Sequence, residues 1–215
     1  SLIATVFSAA PKVQVVMFEM SKWPGCHEWK TQFGNQVMKA EGVPDIMNIT
    51  EYFVGQNDGN GQFSCMHGQG ECVGDMLELC AQAIYKDSTS VPAYAWYDFG
   101  TCMQGPDFES IPQNAQSCAE KVGLDWSTLN TCASGSQGQK LFANSISYAN
   151  TQGIYATPTN SINGKVYVGG PNYPLEVICE AYTGTKPAGC QNSAPSDQQN
   201  LREELCYVKD MVVAF

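Results

Sequence analysis

Apolar and polar positions change their period several times along the chain, and each change marks an element. Val13 to Glu19 (VQVVMFE) is a run of β-branched and apolar residues and predicts a buried strand. Ser21-Lys22-Trp23-Pro24-Gly25-Cys26 interrupts the run with turn residues. From Cys26 the period becomes helical: Trp29, Phe33 and Val37 recur every four residues with Met38 beside them, and Gly42 and Pro44 mark the end. Asp45 to Val54 predicts a second strand. Gly55 to Gln62 predicts a surface loop, since its Asn57-Asp58-Gly59-Asn60-Gly61 stretch lacks the carboxylates and closing Glu of a calcium loop. Glu71 to Lys86 predicts a helix with Cys72, Met76, Leu79, Cys80, Ala83 and Ile84 on one face. Helical periodicity also covers about Asn114 to Asn150, broken at Gly123 and Gly135. Thr157 to Ile162 and Lys165 to Gly169 flank Asn163-Gly164, the preferred pair for a type I′ hairpin turn. Pro174 to Tyr182 predicts a last helix stopped at Gly184.

This order is strand, cysteine-bearing turn, helix, strand, helical insertion, proline-led hairpin and helix. It outlines an α/β chain of thioredoxin-like fold with a cysteine-rich helical insertion. The expected organisation is one domain over residues 1–184, with the insertion at about 56–150, and a disulfide-stapled tail over 185–215. In such a fold a cysteine sits at a helix N-terminus, where the dipole and free N–H groups favour thiolate. A cis proline faces it, and Pro158 in Thr157-Pro158 is the candidate.

Composition narrows the setting. The chain has 215 residues and ten cysteines, at 26, 65, 72, 80, 102, 118, 132, 179, 190 and 206. No two are spaced C-x-x-C, so a zinc ribbon is disfavoured and several disulfides in an oxidising compartment are expected. Net charge is −10, which argues against a nucleic-acid partner because phosphate binding needs clustered Lys and Arg. No stretch is long and apolar enough for a membrane span, and the chain reads as a mature one from which any signal peptide is already gone. With only His27 and His67 and with the cysteines oxidised, neither a metal nor another cofactor is expected.

The segment Cys65-Met66-His67-Gly68-Gln69-Gly70-Glu71-Cys72-Val73-Gly74-Asp75-Met76-Leu77-Glu78-Leu79-Cys80 resembles the signature of the gamma-interferon-inducible lysosomal thiol reductase family, C-x-H-G-x-x-E-C-x-x-N-x-x-x-x-C. Met66 replaces a usual Gln and Asp75 a usual Asn. Cys118-Ala119, Gly123-Leu124-Asp125-Trp126 and Cys132 are similar to the family's downstream segment, so the resemblance covers about residues 13 to 182. It implies reduction of protein disulfides in a lysosomal or other lumenal, or secreted, setting, and a C-x-x-C motif after the first strand. Here that motif reads Trp23-Pro24-Gly25-Cys26, with Trp23 at the attacking cysteine and Cys26 at the resolving one. The expected site residues are therefore Cys26 and Pro158, with Trp23, Pro24 and Thr157 forming a groove for a disulfide-containing or extended polypeptide.

Three readings stand beside one another: an oxidoreductase working through Cys26 alone, a redox-inactive binding protein, and a component joined covalently or non-covalently to an assembly partner. Cys65, Cys72, Cys80, Cys118 and Cys132 are expected to be oxidised and structural. His27, adjacent to Cys26, is expected to be an exposed polar residue, and Glu71 a helix-start carboxylate. Asn48-Ile49-Thr50 is a glycosylation sequon inside a predicted strand.

Overall fold

A computed structural model describes residues 10–191. The central sheet is built on β1 (Val13–Glu19), whose burial alternates at first and then becomes continuous, as suits a middle strand. Helix α1 (Pro24–Phe33) carries the chain to β2 (Met47–Phe53), which pairs parallel with β1 from Val13↔Met47 to Glu19↔Phe53. A parallel neighbour requires such a crossover. α1 runs on into a π-helical turn at Gly34–Met38, which keeps Phe33 and Val37 inside. The predicted second strand begins late: Pro44–Ile46 is a 3-10 turn, because proline fixes its φ and cannot donate to a ladder.

The chain returns to the sheet with β5 (Thr159–Ile162), antiparallel to β1, and β6 (Lys165–Val168), for a strand order β2-β1-β5-β6. The Asn163-Gly164 turn has φ of 47° and 86°, the double left-handed geometry of a type I′ hairpin. Helix α7 (Pro174–Ala181) packs on β5 and on the π-helical turn.

Between β2 and β5 lies the insertion. It begins with a two-stranded ribbon, β3 (Gln56–Asn57) and β4 (Phe63–Ser64), where the sequence predicted only a loop. Five helices follow: α2 (Gln69–Tyr85), α3 (Ala95–Met103), α4 (Ala115–Val122), α5 (Trp126–Ser134) and α6 (Ser136–Thr151). α2 is the hub, contacting α3, α5, α6 and β2. α3 escaped the sequence reading because it is short and nearly apolar throughout, so it shows no clear helical period. The apolar face read for α2 is too narrow. Leu77 and Ala81 are also buried, Ala83 is exposed, and Glu71, Asp75 and Glu78 lie inside, because the helix is covered on several sides.

Four disulfides staple the described residues: Cys65–Cys72, Cys80–Cys132, Cys102–Cys118 and Cys179–Cys190. All five cysteines expected to be oxidised are in them. Cys26 is the free cysteine among the described residues, and Cys206, with most of the expected tail, lies outside them. Among the described residues no helix is long and apolar enough to cross a membrane.

Candidate functional site

The site forms where β1 ends. Trp23 is the N-cap of α1 and Pro24 takes its first position, where the missing N–H costs nothing. Pro24 is exposed and Trp23 half-buried. The Cys26 and His27 amides donate to Trp23 O at 3.0 and 3.1 Å, closing the first turn. Gly25 is needed there: a Cβ on it would lie 2.7 Å from Trp23 Nε1 and 3.5 Å from Pro158 Cδ. The indole edge, the turn and the Pro158 ring are therefore stacked together. The Thr157–Pro158 bond is cis, and Ile111–Pro112, which the sequence reading did not single out, is cis as well.

Cys26 lies beneath this layer, 0% exposed, and its sulfur accepts the Met20 N–H at 3.4 Å. Burial, then the Glu19 carboxylate, push its pKa well above that of an ordinary thiol. The Met20 amide, the Thr157 hydroxyl and Lys30 oppose that rise without reversing it. The expectation that the helix N-terminus would favour thiolate is corrected here: desolvation of a fully enclosed sulfur outweighs the dipole.

Trp23 connects two surroundings. One ring face stacks on His67, with centroids 5.6 Å apart. His67 Nδ1 meets Glu71 Oε2 at 2.5 Å, and the buried Glu71 carboxylate also accepts the amides of His67 (3.1 Å) and Lys22 (3.3 Å). Glu71 thus ties the start of α2 to the Ser21–Trp23 turn, a larger role than capping its own helix. Trp23 also packs against the buried cluster of Phe18, Met20, Val54 and Ala149. Two clefts adjoin this cluster. One of about 220 Å³ is lined by Met20, Cys65 and Met66, and a wider one of about 900 Å³ by Ile146, Ile154 and Tyr155. They share Val54, Gly55 and Gln56, and neither contains a charged side chain.

His27 is not free in solvent. Its Nδ1 is hydrogen-bonded to Gln104 O and its ring stacks on Phe108 at 5.0 Å, because the end of α3 and the turn after it close over α1. Asn48 donates its side-chain amide to Gln14 Oε1 at 2.8 Å.

Below Cys26 is a buried charge cluster that the sequence reading missed. Lys30 Nζ reaches Glu19 Oε2 at 3.1 Å, Glu51 Oε1 at 2.8 Å and Glu78 Oε2 at 2.9 Å, and all four side chains are at most 2% exposed. Gln104 Nε2 donates to Glu19 and to both Glu78 oxygens. Burial raises Glu51 to about 8 and Glu78 above its ordinary range. Burial disfavours the ammonium, yet the three carboxylates lift Lys30 well above its ordinary value. One signal for this cluster was legible: Glu51 occupies an inward position in the alternation Met47, Ile49, Glu51, Phe53. Among the described residues no group of three His, Cys, Asp or Glu side chains is placed to hold a metal ion, and these carboxylates are occupied by the lysine.

The fold and the turn have counterparts among known proteins. The family model described as gamma interferon inducible lysosomal thiol reductase matches residues 14–122, about half of the chain. The chain belongs to this thiol reductase family. It is 29% identical to the gamma-interferon-inducible lysosomal thiol reductase of Carassius auratus over 198 residues, covering 86% of this chain and 74% of that protein. It is 26% identical to a gamma-interferon-responsive lysosomal thiol protein of Arabidopsis thaliana, covering 89% and 81%. Among solved structures, reduced DsbA from Mycobacterium tuberculosis superposes with a TM-score of 0.58 at 17% identity, covering 89% of this chain and 92% of that one. Oxidised BdbD from Bacillus subtilis gives 0.55 at 19%, covering 79% and 86%. These structural likenesses establish the thioredoxin-like fold of this thiol reductase family member, and its disulfides suit an oxidising compartment.

Proposed function

We propose that this protein is a lumenal or secreted member of the thiol reductase family whose Trp23-Pro24-Gly25-Cys26 turn recognises polypeptide and does not run a dithiol cycle. The observation that carries the reading is the Cys26 sulfur, wholly buried beneath Trp23 with its pKa raised. A dithiol cycle needs an exposed thiolate to attack and a second thiol to release the mixed disulfide. Trp23 supplies neither, and a buried neutral thiol attacks poorly. What the turn does offer is surface. Trp23 packs against a cluster whose members Met20, Val54 and Ala149 line two uncharged clefts that share Val54–Gln56, an environment suited to an extended or disulfide-containing polypeptide with apolar side chains. The reading treats residues 1–184 as the working domain and 185–215 as its tail.

Trp23→Cys is the test. The variant is expected to reduce insulin disulfides at least about ten-fold faster than the unmodified protein, because it restores an attacking thiol over Cys26. Comparable reduction by the unmodified protein, abolished by Cys26→Ser, would refute the reading.

A further inference from the structure

Asn48-Ile49-Thr50 is the single Asn-x-Ser/Thr sequence in the chain, and the Trp23 turn does not involve it. It lies in β2, an edge strand of the central sheet. A strand is an unusual place for a glycosylation sequon, and the direction of its side chains decides whether a sugar fits. Successive side chains of a strand point to opposite faces. Met47, Ile49, Glu51 and Phe53 are buried, so Asn48, Thr50 and Tyr52 stand together on the outer face, each half-buried. A one-residue shift of register would aim the same asparagine into the core.

The surroundings of Asn48 leave room for a large substituent. Its Nδ2 donates to Oε1 of the exposed Gln14 at 2.8 Å, and Thr50 Oγ1 accepts the Lys86 ammonium at 3.0 Å. Helix α6 covers this face at its other end, where Tyr148 stacks on Tyr52 and Phe18 with centroids 4.2 and 6.0 Å apart. Nearer Asn48 the register sets Thr50 beside Val16, Val16 beside Ser161 and Ser161 beside Val166. Val16 and Ser161 are half-buried and Val166 is 58% exposed, so this row reaches solvent. A side-chain amide has two hydrogens on nitrogen. A sugar on Nδ2 replaces one of them, and the other can still donate to Gln14.

We infer that Asn48 is an N-glycosylation site and that its sugar leaves the sheet on the outer face, next to Val16. The donor is a lipid-linked oligosaccharide diphosphate. Asn48 Nδ2 loses one proton and bonds to the anomeric carbon of the first sugar. The bond from that carbon to the diphosphate oxygen breaks, its electron pair stays with the lipid diphosphate, and nothing is oxidised or reduced. A bulky, hydrated group at this point screens a partly apolar stretch of sheet from other chains. The inference rests on the lumenal or secreted setting proposed for the protein and not on the reading of the Trp23 turn.

The test uses the whole chain, expressed behind a signal peptide in eukaryotic cells and purified from the medium, with its disulfides mapped on the same sample. Treatment with peptide N-glycosidase in heavy-oxygen water is expected to lower the intact mass in one step and to leave a labelled aspartate at position 48. The sugar is expected to be lost in Asn48→Gln and in Thr50→Val and kept in Thr50→Ser. Thr50→Val leaves Asn48 and its Gln14 hydrogen bond in place and suits a strand, so its effect reads the sequon and not the fold. Hydroxyl-radical labelling of Val16 is expected to increase in Asn48→Gln, and unchanged labelling would overturn the placement over the sheet. An unmodified Asn48 in secreted, disulfide-bonded protein, or a sugar that survives Thr50→Val, would overturn the inference as a whole. The first of these is read on the unmodified protein, so it decides even where a variant is not secreted. The mapped disulfides report the oxidising compartment separately, so a bare Asn48 refutes the glycan and leaves both the setting and the insulin test standing.

Discussion

Lys30→Met isolates the cluster beneath Cys26. Methionine keeps the length and most of the volume of the side chain but removes the ammonium from Glu19, Glu51 and Glu78, which it meets at 2.8–3.1 Å. Three buried carboxylates share one positive charge, and burial raises the Glu51 pKa to about 8 and that of Glu78 above its ordinary range, which favours a protonated carboxyl in the cluster. Without Lys30 the interior must hold one more proton or bear one more buried anion. Keeping one carboxyl protonated at pH 8, against its ordinary 4.5, costs about 5 kcal/mol. At pH 5 the same proton costs about 1 kcal/mol. The 5 kcal/mol figure lies at the top of the range of about 3–5 kcal/mol for breaking a buried ion pair by removing one partner. Guanidinium unfolding without reductant, with and without the substitution, is the assay. A loss of about 3–5 kcal/mol at pH 8 and about 1 kcal/mol at pH 5 is expected. A loss independent of pH, or none at pH 8, would show that Lys30 does not neutralise these carboxylates. The unmodified protein has a related slope. The folded pKa of Glu51 is raised to about 8, so its contribution is complete below about 4.5 and is lost as pH rises to 8. Glu51 alone thus makes the fold less stable as pH rises from about 4.5 to 8.

Two further outcomes follow from contacts away from the cluster. Ser145 Oγ accepts the Phe53 N–H at 2.6 Å and donates to Phe53 O at 2.8 Å, joining α6 to the end of β2; Ser145→Ala should cost about 1–3 kcal/mol in urea unfolding, because it leaves both backbone groups buried and unpaired. Replacing Cys80 and Cys132 together with Ala opens a 52-residue separation and should cost about 4 kcal/mol by chain entropy, against about 3 kcal/mol for the 16-residue Cys102–Cys118 link; thermal unfolding of the two double variants ranks them.

The sequence by itself determined the elements whose signals are local. The period-four run of Trp29, Phe33 and Val37, the Asn163-Gly164 turn and the breaks at Gly123 and Gly135 each depend on backbone preferences within a few residues. The structure keeps them with end shifts of a residue or two. The Cys65–Cys80 segment pointed to the family because its residue spacing is itself the evidence. Tertiary structure decided what spacing cannot express. Disulfide partners are chosen by where helices bring the sulfurs, so Cys80 meets Cys132 across 52 residues. His27 reads as a surface residue until Gln104 and Phe108 arrive from the end of α3 and the turn after it. Lys30 carries no local signal of burial, yet it is buried because Glu19, Glu51 and Glu78, from three other elements, converge on it. Charge burial depends on partners distant in sequence, and no local pattern encodes whether those partners come together. The same limit applies at Asp75. The sequence marks it only as a departure from Asn, and the fold buries its carboxyl 4.0 Å from a disulfide sulfur, where burial raises its pKa.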